Sequence, residues 1–214
     1  MNISHNDMLL YLVTDRSWLK PGETLAQHVR TAIENGVTMV QLREKGTAYD
    51  EFRTLALEIL PVCRQYGVPF IINDNVRLAQ ETDADGVHVG QSDMALKKAR
   101  EILGPGKIIG TSAHNVQEAM KAQAEGADYI GCGAVFGSET KTDAGYMGVR
   151  VLADICTTVN IPVVAIGGIS RGNVLQLAGT GTDGIAVVSA ILAQPDKAQA
   201  TQAMLTLAKK ITDK

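Results

Sequence analysis

The stretch Gln41-Leu42-Arg43-Glu44-Lys45 carries the clearest chemical content of this sequence. It follows an apolar, β-branched run at 37–40 that reads as a buried strand, and strand alternation continued through it puts Gln41, Arg43 and Lys45 on one face. A planar guanidinium fork, an ammonium point charge and an amide make a set suited to a phosphate or diphosphate. A solvated strand end is the alternative. Asp74 and Asp93 follow two neighbouring apolar runs and could face each other across a small gap. Carboxylate oxygens, completed by water and substrate phosphates, are what Mg²⁺ prefers, while helix N-capping is the competing use of an Asp at such a place. The four histidines lack a paired spacing such as HExxH, which argues against zinc.

Further polar groups recur after each apolar run. Asn73-Asp74-Asn75 follows the third, His88 and Gly90-Gln91 lead to Asp93 after the fourth, and Thr111-Ser112-Ala113-His114 ends the fifth. Gly167-Gly168 and the Ser189 region stand where backbone amides could hold a second phosphate, since glycine permits close approach; a tight turn is the plainer use of such a pair. Lys141 lies in the polar stretch 138–145, either facing solvent or closing over the site with its cation at a leaving group. His114 suits either proton transfer or the orientation of a ring. Trp18, Tyr49, Tyr129 and Phe136 are too scattered for a base-stacking row, and most are read as packing residues.

Eight apolar runs, each followed by polar or glycine residues and a helical pattern, supply the elements that must position these groups. The predicted strands are 9–14, 38–43, 69–73, 86–89, 108–112, 129–133, 162–166 and 184–188. The predicted helices are 24–35, 49–66, 76–80, 94–103, 116–125, 149–158, 171–178 and 197–212. Gly36, Gly67, Gly104 and Gly126 stand where left-handed C′ residues belong, and Asn115 and Ser170 where N-caps do. Eight βα units predict an α/β fold, a (β/α)8 TIM barrel, rather than an open doubly wound sheet, because Thr14-Asp15-Arg16-Ser17 replaces a glycine-rich first turn. In such a barrel the chemistry gathers at the C-terminal ends of the strands.

Length bounds the rest: 214 residues suit one sizeable core, so residues 1–214 are expected to form a single domain, without repeat array or linker. A composition 45% hydrophobic and 20% charged is that of a globular protein, and a net charge of −3 offers no footprint for nucleic acid. Cys63, Cys132 and Cys156 form no CxxC pair and read as reduced, buried thiols. Neither a signal peptide nor a membrane-spanning run is apparent, so a cytoplasmic location is expected.

The ordered motifs QLREK, IINDNVRLA, HVGQSD, GTSAH, FGSETK and AIGGIS resemble the thiamine-phosphate synthase (thiamine-phosphate pyrophosphorylase) family over nearly the whole chain. The resemblance implies a (β/α)8 barrel that joins hydroxymethylpyrimidine diphosphate to hydroxyethylthiazole phosphate with Mg²⁺, releasing diphosphate. It implies that Gln41, Arg43, Glu44, Lys45 and Asn73 bind the pyrimidine diphosphate, with Ser112 beside the ring and Lys141 on the diphosphate. Ser138, Glu139, Thr140, Gly168, Val188 and Ser189 match positions for the thiazole phosphate, and Asp74 and Asp93 the Mg²⁺ ligands. Lys141, Arg43 and Ser112 are the catalytic candidates. The expected partners are these two small molecules, with neither nucleic acid nor membrane, and a homo-oligomer is left open.

The chain departs from the family pattern at Asn75, Ala134 and Ser138, where Asp, Pro and Thr are usual. The implied chemistry is substitution at the pyrimidine methylene carbon with electrostatic stabilisation of diphosphate, which requires no side-chain nucleophile or base. The rivals are a thiazole tautomerase, in which His114 would be the acid/base group, and a non-catalytic phosphometabolite-binding barrel.

Overall fold

A computed structural model describes residues 3–91, 94–137 and 146–212. Eight strands, β1 (Leu10–Val13), β2 (Met39–Leu42), β3 (Phe70–Asn73), β4 (Gly86–Val89), β5 (Ile108–Ala113), β6 (Tyr129–Cys132), β7 (Val163–Ile166) and β8 (Gly184–Val187), pair in parallel in chain order. The last closes on the first, as in Tyr11 against Ala186. The expected (β/α)8 barrel is therefore formed, and no strand end lies more than one residue from the predicted one.

Around it lie α2 (Leu25–Glu34), α3 (Tyr49–Tyr66), α4 (Val76–Glu81), α5 (Leu96–Leu103), α6 (Val116–Ala124), α7 (Val149–Thr158) and α9 (Lys197–Thr212). Two short helices that the periodicity did not reveal, α1 (His5–Met8) and α8 (Ser189–Leu192), precede β1 and follow β8. The reason α2 starts where it does is visible in its capping box, Thr24 accepting from the Gln27 N–H and Gln27 accepting from the Thr24 N–H. Its buried side chains, Leu25, His28, Val29, Ala32 and Ile33, have the spacing of one helical face. Asn115 caps α6 as expected, and the four C′ glycines have positive φ.

The predicted helix at 171–178 is corrected to a single 3₁₀ turn, Val174–Leu177. Ser170 does not cap it. Instead the Asn173 side-chain Oδ1 accepts from the Ser170 N–H at 2.8 Å and its Nδ2 donates to Gly168 O at 2.8 Å, local bonds that compete with helix initiation.

Strand alternation divides the apolar side chains into two cores. Val40, Leu42, Phe70, Ile72, Ile109 and Ile130 face outward into the layer between sheet and helices. Tyr11, Val13, Met39, Ile71, Ile108, Tyr129, Val164 and Ala186 fill the barrel, with Met8 of α1 packed among them and fully buried. Along the axis these inner positions turn from apolar to polar: Met39 gives way to Gln41, Ile71 to Asn73, and Ile108 to Ser112. One end of the barrel is thus sealed by packing, and the other is left with groups that need partners.

At the sealed end a bracket recurs four times. The Asp85 N–H donates to Phe70 O and its carboxylate accepts from the Phe70 N–H at 2.8 Å. Asp128 does the same to Ile109 at 2.7 Å, and Asp183 to Val163 at 2.8 Å. Thr38 fills the equivalent place before β2, its hydroxyl accepting from the Leu10 N–H at 3.0 Å. Each even strand is locked to the odd strand before it.

Candidate active site

The open end of the barrel is a cleft of about 980 Å³, its solvent mouth included. Of the sequence-predicted residues, Gln41, Arg43, Asn73, Ser112, His114, Gly168, Val188 and Ser189 line it. Residues from β2, β3 and β5 thus face the Gly168 loop and the start of α8 across one opening.

Period-two alternation accounts for Gln41 pointing in and Leu42 out, but β2 ends at Leu42 and the pattern ends with it. Arg43 still reaches the rim, its backbone N–H donating to the Thr14 hydroxyl at 3.1 Å. Gln41 and Arg43 both line the cleft, while Lys45 is exposed beyond the end of β2. Glu44 also stays out of the cleft, with a side chain only 4% exposed. Its Oε2 accepts from Arg16 Nε at 2.9 Å and the Thr47 hydroxyl at 2.8 Å, and it lies 2.7 Å from Arg16 Nη2 in an ion pair. Arg16 follows β1, so this ion pair ties the segment after β2 to the segment after β1.

Asn73-Asp74-Asn75 forms a three-residue turn closed by the Asn75 N–H on Asn73 O at 2.7 Å, with Asp74 at φ +62°. Asp tolerates that conformation better than most residues. The N-cap of α4 is Asn75, whose side-chain oxygen accepts from the Leu78 N–H at 2.9 Å. The departure at Asn75 therefore keeps a capping residue, and the carboxylate of Asp74 is not the group spent on the cap. Asp74 is exposed at the C-terminal end of β3, next to cleft-lining Asn73. A hard oxygen donor there fits a divalent cation that completes its shell with water and phosphate. Among the described residues no three His, Cys, Asp or Glu side chains gather into a metal cluster. Asp93, Ser138, Glu139, Thr140 and Lys141 lie outside the described residues.

The second wall is made by backbone. Gly168 has φ +67°, and a Cβ there would lie 2.4 Å from Gly137 O, so only glycine seats this turn against the loop after β6. Val188 and Ser189 follow β8 directly at the start of α8.

Along the floor of the cleft, lined there by Gln41, Tyr11, His88 and Ser112, runs a chain of hydrogen bonds that sequence reasoning missed. Gln41 Nε2 donates to Tyr11 Oη at 2.8 Å, and Tyr11 Oη lies 2.9 Å from Tyr129 Oη. Tyr129 Oη lies 2.9 Å from His88 Nδ1, and His88 Nε2 lies 3.0 Å from Ser112 Oγ. Burial pushes both phenols well above their usual range, against the lowering effect of the Gln41 amide, so both keep their protons. Tyr129, first read as a packing residue, is fully buried and outside the cleft lining. Room for it comes from Gly110, where a Cβ would fall 2.1 Å from the Tyr129 ring. A glycine inside a strand pattern is the sequence signal for such close approach.

His114 enters the cleft from the end of β5. Its ring Nδ1 and its backbone N–H both bond Glu118 Oε2, at 2.9 and 2.8 Å, which orients the ring on the first turn of α6. Cys63, Cys132 and Cys156 form no disulfide and do not line the cleft, and burial pushes Cys63 up to about 12. Among the described residues no helix is long and apolar enough to cross a membrane.

A family model of thiamine monophosphate synthase matches residues 10–191. The chain is 49% identical over 186 residues to the thiamine-phosphate synthase of Caldanaerobacter subterraneus subsp. tengcongensis, covering 86% of each chain. It is 45% identical over 208 residues to that of Clostridium acetobutylicum, covering 97% of this chain and 98% of the other. Among solved structures it is similar to thiamine phosphate pyrophosphorylase from Pyrococcus furiosus, with a TM-score of 0.89, 37% identity, and coverage of 97% and 98%.

Proposed function

The chain belongs to the thiamine monophosphate synthase family and is a transferase, and from that premise we propose that it moves a hydroxymethylpyrimidine group from its diphosphate to the ring nitrogen of hydroxyethylthiazole phosphate. The observation that carries this reading is the two-walled cleft. Arg43, Gln41, Asn73 and Ser112 stand on one side, and the Gly168 turn with Val188 and Ser189 on the other. That layout supports the reading of a ring bearing a diphosphate on the first side and a ring bearing a phosphate on the second.

In this reading Gln41 and Ser112 orient the pyrimidine, Arg43 holds its diphosphate, and the apolar side chains of Ile166 and Val188 keep water from the reacting carbon. The carbon–oxygen bond of the methylene group breaks as the thiazole nitrogen bonds to that carbon, and the electron pair leaves on diphosphate. Arg43, with Lys45 and Lys141 carried over from the family resemblance, stabilises the departing charge electrostatically. Glu44 acts on the same segment through Arg16 rather than on substrate. Ser138, Glu139 and Thr140 are assigned to the thiazole phosphate on resemblance alone. Asp74 and Asp93 would hold Mg²⁺, which when bound neutralises diphosphate charge. Residues 1–214 act as one domain in the cytoplasm.

Purified protein incubated with both substrates and Mg²⁺ should yield thiamine phosphate and diphosphate in equal amounts. Binding of both substrates without product would leave only a metabolite-binding barrel. The His114–Glu118 pair is the one observation that favours a proton-transfer activity instead. Conversion of a thiazole tautomer in the absence of the pyrimidine diphosphate, with no thiamine phosphate formed when both are present, would establish that reading.

A further inference from the structure

The turn Gly167-Gly168-Ile169 follows β7 and lines the cleft, and its peptide planes are fixed from behind. The Gly167 carbonyl accepts from the Phe136 N–H at 3.0 Å, and the Gly168 carbonyl accepts from Asn173 Nδ2 at 2.8 Å. Neither Phe136 nor Asn173 lines the cleft. In a planar trans peptide the C=O and the N–H point opposite ways. Holding each oxygen therefore sends the N–H of the next residue the other way, away from Phe136 for Gly168 and away from Asn173 for Ile169. Among the described residues neither N–H meets an acceptor. Successive N–H groups in such a turn make a concavity for an anion.

We infer that Asn173 is a positioning residue for the phosphate of the second substrate, holding the Gly168–Ile169 peptide so that the Ile169 N–H, beside that of Gly168, is presented to it. The Asn173 amide has one orientation that satisfies both its contacts, because each partner is backbone with a fixed role: Gly168 O can only accept and the Ser170 N–H can only donate. Its Oδ1 takes that Ser170 N–H at 2.8 Å, so the side chain spans the turn on both sides of Ile169. Gly168 has φ +67° and no side chain to resist rotation of the peptide that follows it. Without Asn173 that peptide is free to turn over and set a carbonyl, an acceptor, where the anion needs a donor.

This inference rests on the reading that places a substrate phosphate at the Gly168 wall, and the experiment separates the two. The probes are hydroxyethylthiazole phosphate and the same thiazole alcohol without its phosphate, whose dissociation constants are measured in the absence of turnover. The wild-type protein should bind the phosphate more tightly than the alcohol. Asn173→Ala should weaken the phosphate by about ten- to hundredfold, the worth of a hydrogen bond to a charged group, and leave the alcohol unchanged. In the wild-type protein the NMR signal of the Ile169 amide proton should move downfield on adding the phosphate and stay in place on adding the alcohol. That measurement needs no variant and holds even where Asn173→Ala fails to fold. A folded Asn173→Ala that keeps the preference for the phosphate, an equal loss for both compounds, or an Ile169 signal that ignores the phosphate overturns the inference while leaving the phosphate reading intact. A wild-type protein that binds the two compounds equally overturns the phosphate reading itself.

Discussion

Replacing Arg16 by Met tests whether the rim of the cleft is held from outside it. The Glu44 side chain is only 4% exposed and takes hydrogen bonds from Arg16 Nε and the Thr47 hydroxyl besides its ion pair with Arg16. Removing one partner of a buried ion pair costs about 3–5 kcal/mol, most of it from the stranded charge. Arg16 is 33% exposed, so solvent screens part of the attraction, and Thr47 remains as a donor. The lost contact to Glu51, whose side chain is 54% exposed, adds little. A destabilisation of about 2–3 kcal/mol is expected on these grounds, or a fall in Tm of about 4–12 °C for a chain of this size. Because Arg43 and Lys45 flank Glu44, kcat/KM for the pyrimidine diphosphate should fall as well. Adding Glu44→Gln to the Arg16→Met background removes the stranded charge and should recover roughly half of the lost stability. Urea denaturation at neutral pH reads all three variants. An Arg16→Met protein within about 0.5 kcal/mol of wild type, or a double variant less stable than the single one, would refute the reasoning.

Other outcomes follow from single contacts. Asp74→Asn keeps a side chain tolerant of φ +62° and removes its charge, so Mg²⁺-dependent turnover should drop sharply with little change in Tm; an unaltered Mg²⁺ titration would reject Asp74 as a ligand. Gly110→Ala forces a methyl into the Tyr129 ring and should destabilise by about 1–3 kcal/mol or more by thermal unfolding, even though alanine suits a strand better. Asp128→Ala leaves the Ile109 N–H without its acceptor and breaks the pair with Arg100, for a loss of about 2–4 kcal/mol in urea, whereas Asp128→Asn should keep the first of these. Burial pushes the Glu118 carboxyl up, but bonds from the His114 N–H and ring and from Asn115 outweigh it and leave the group below its usual 4.5. Its contribution to stability is therefore complete above about pH 4.5 and is lost as the pH falls through the lower folded value. Glu118→Gln should flatten the stability profile in that acid range, and an unchanged profile would contradict the shift.

The barrel was legible because its signal is periodic: eight apolar runs followed by helical patterns admit few topologies, and the C′ glycines and Asn115 mark where helices stop and start. Gln41, Arg43, Asn73 and Ser112 were legible as cleft residues because each stands at or just after a strand's C-terminal end. Lys45 marks the limit of that logic, since alternation has no force once β2 stops at Leu42. Glu44 looks from sequence like a member of the same polar cluster, and only the fold brings Arg16 beside it. Tyr11 and Tyr129 are 118 residues apart in sequence and meet inside the barrel, which no local pattern reports. The helix expected at 171–178 was lost to Asn173, whose side chain satisfies its neighbours' backbone groups before a helix can.

The four brackets at the sealed end divide the cylinder's seams into two kinds. Those inside the couples β1–β2, β3–β4, β5–β6 and β7–β8 are clasped by a side chain as well as the backbone. At that level the alternate seams are joined by main-chain bonds such as Val40 N–H to Pro69 O and Ile130 N–H to Pro162 O. A ring built so should loosen as four staves of two strands each, and native-state hydrogen exchange would then find amides released first along the unclasped joints.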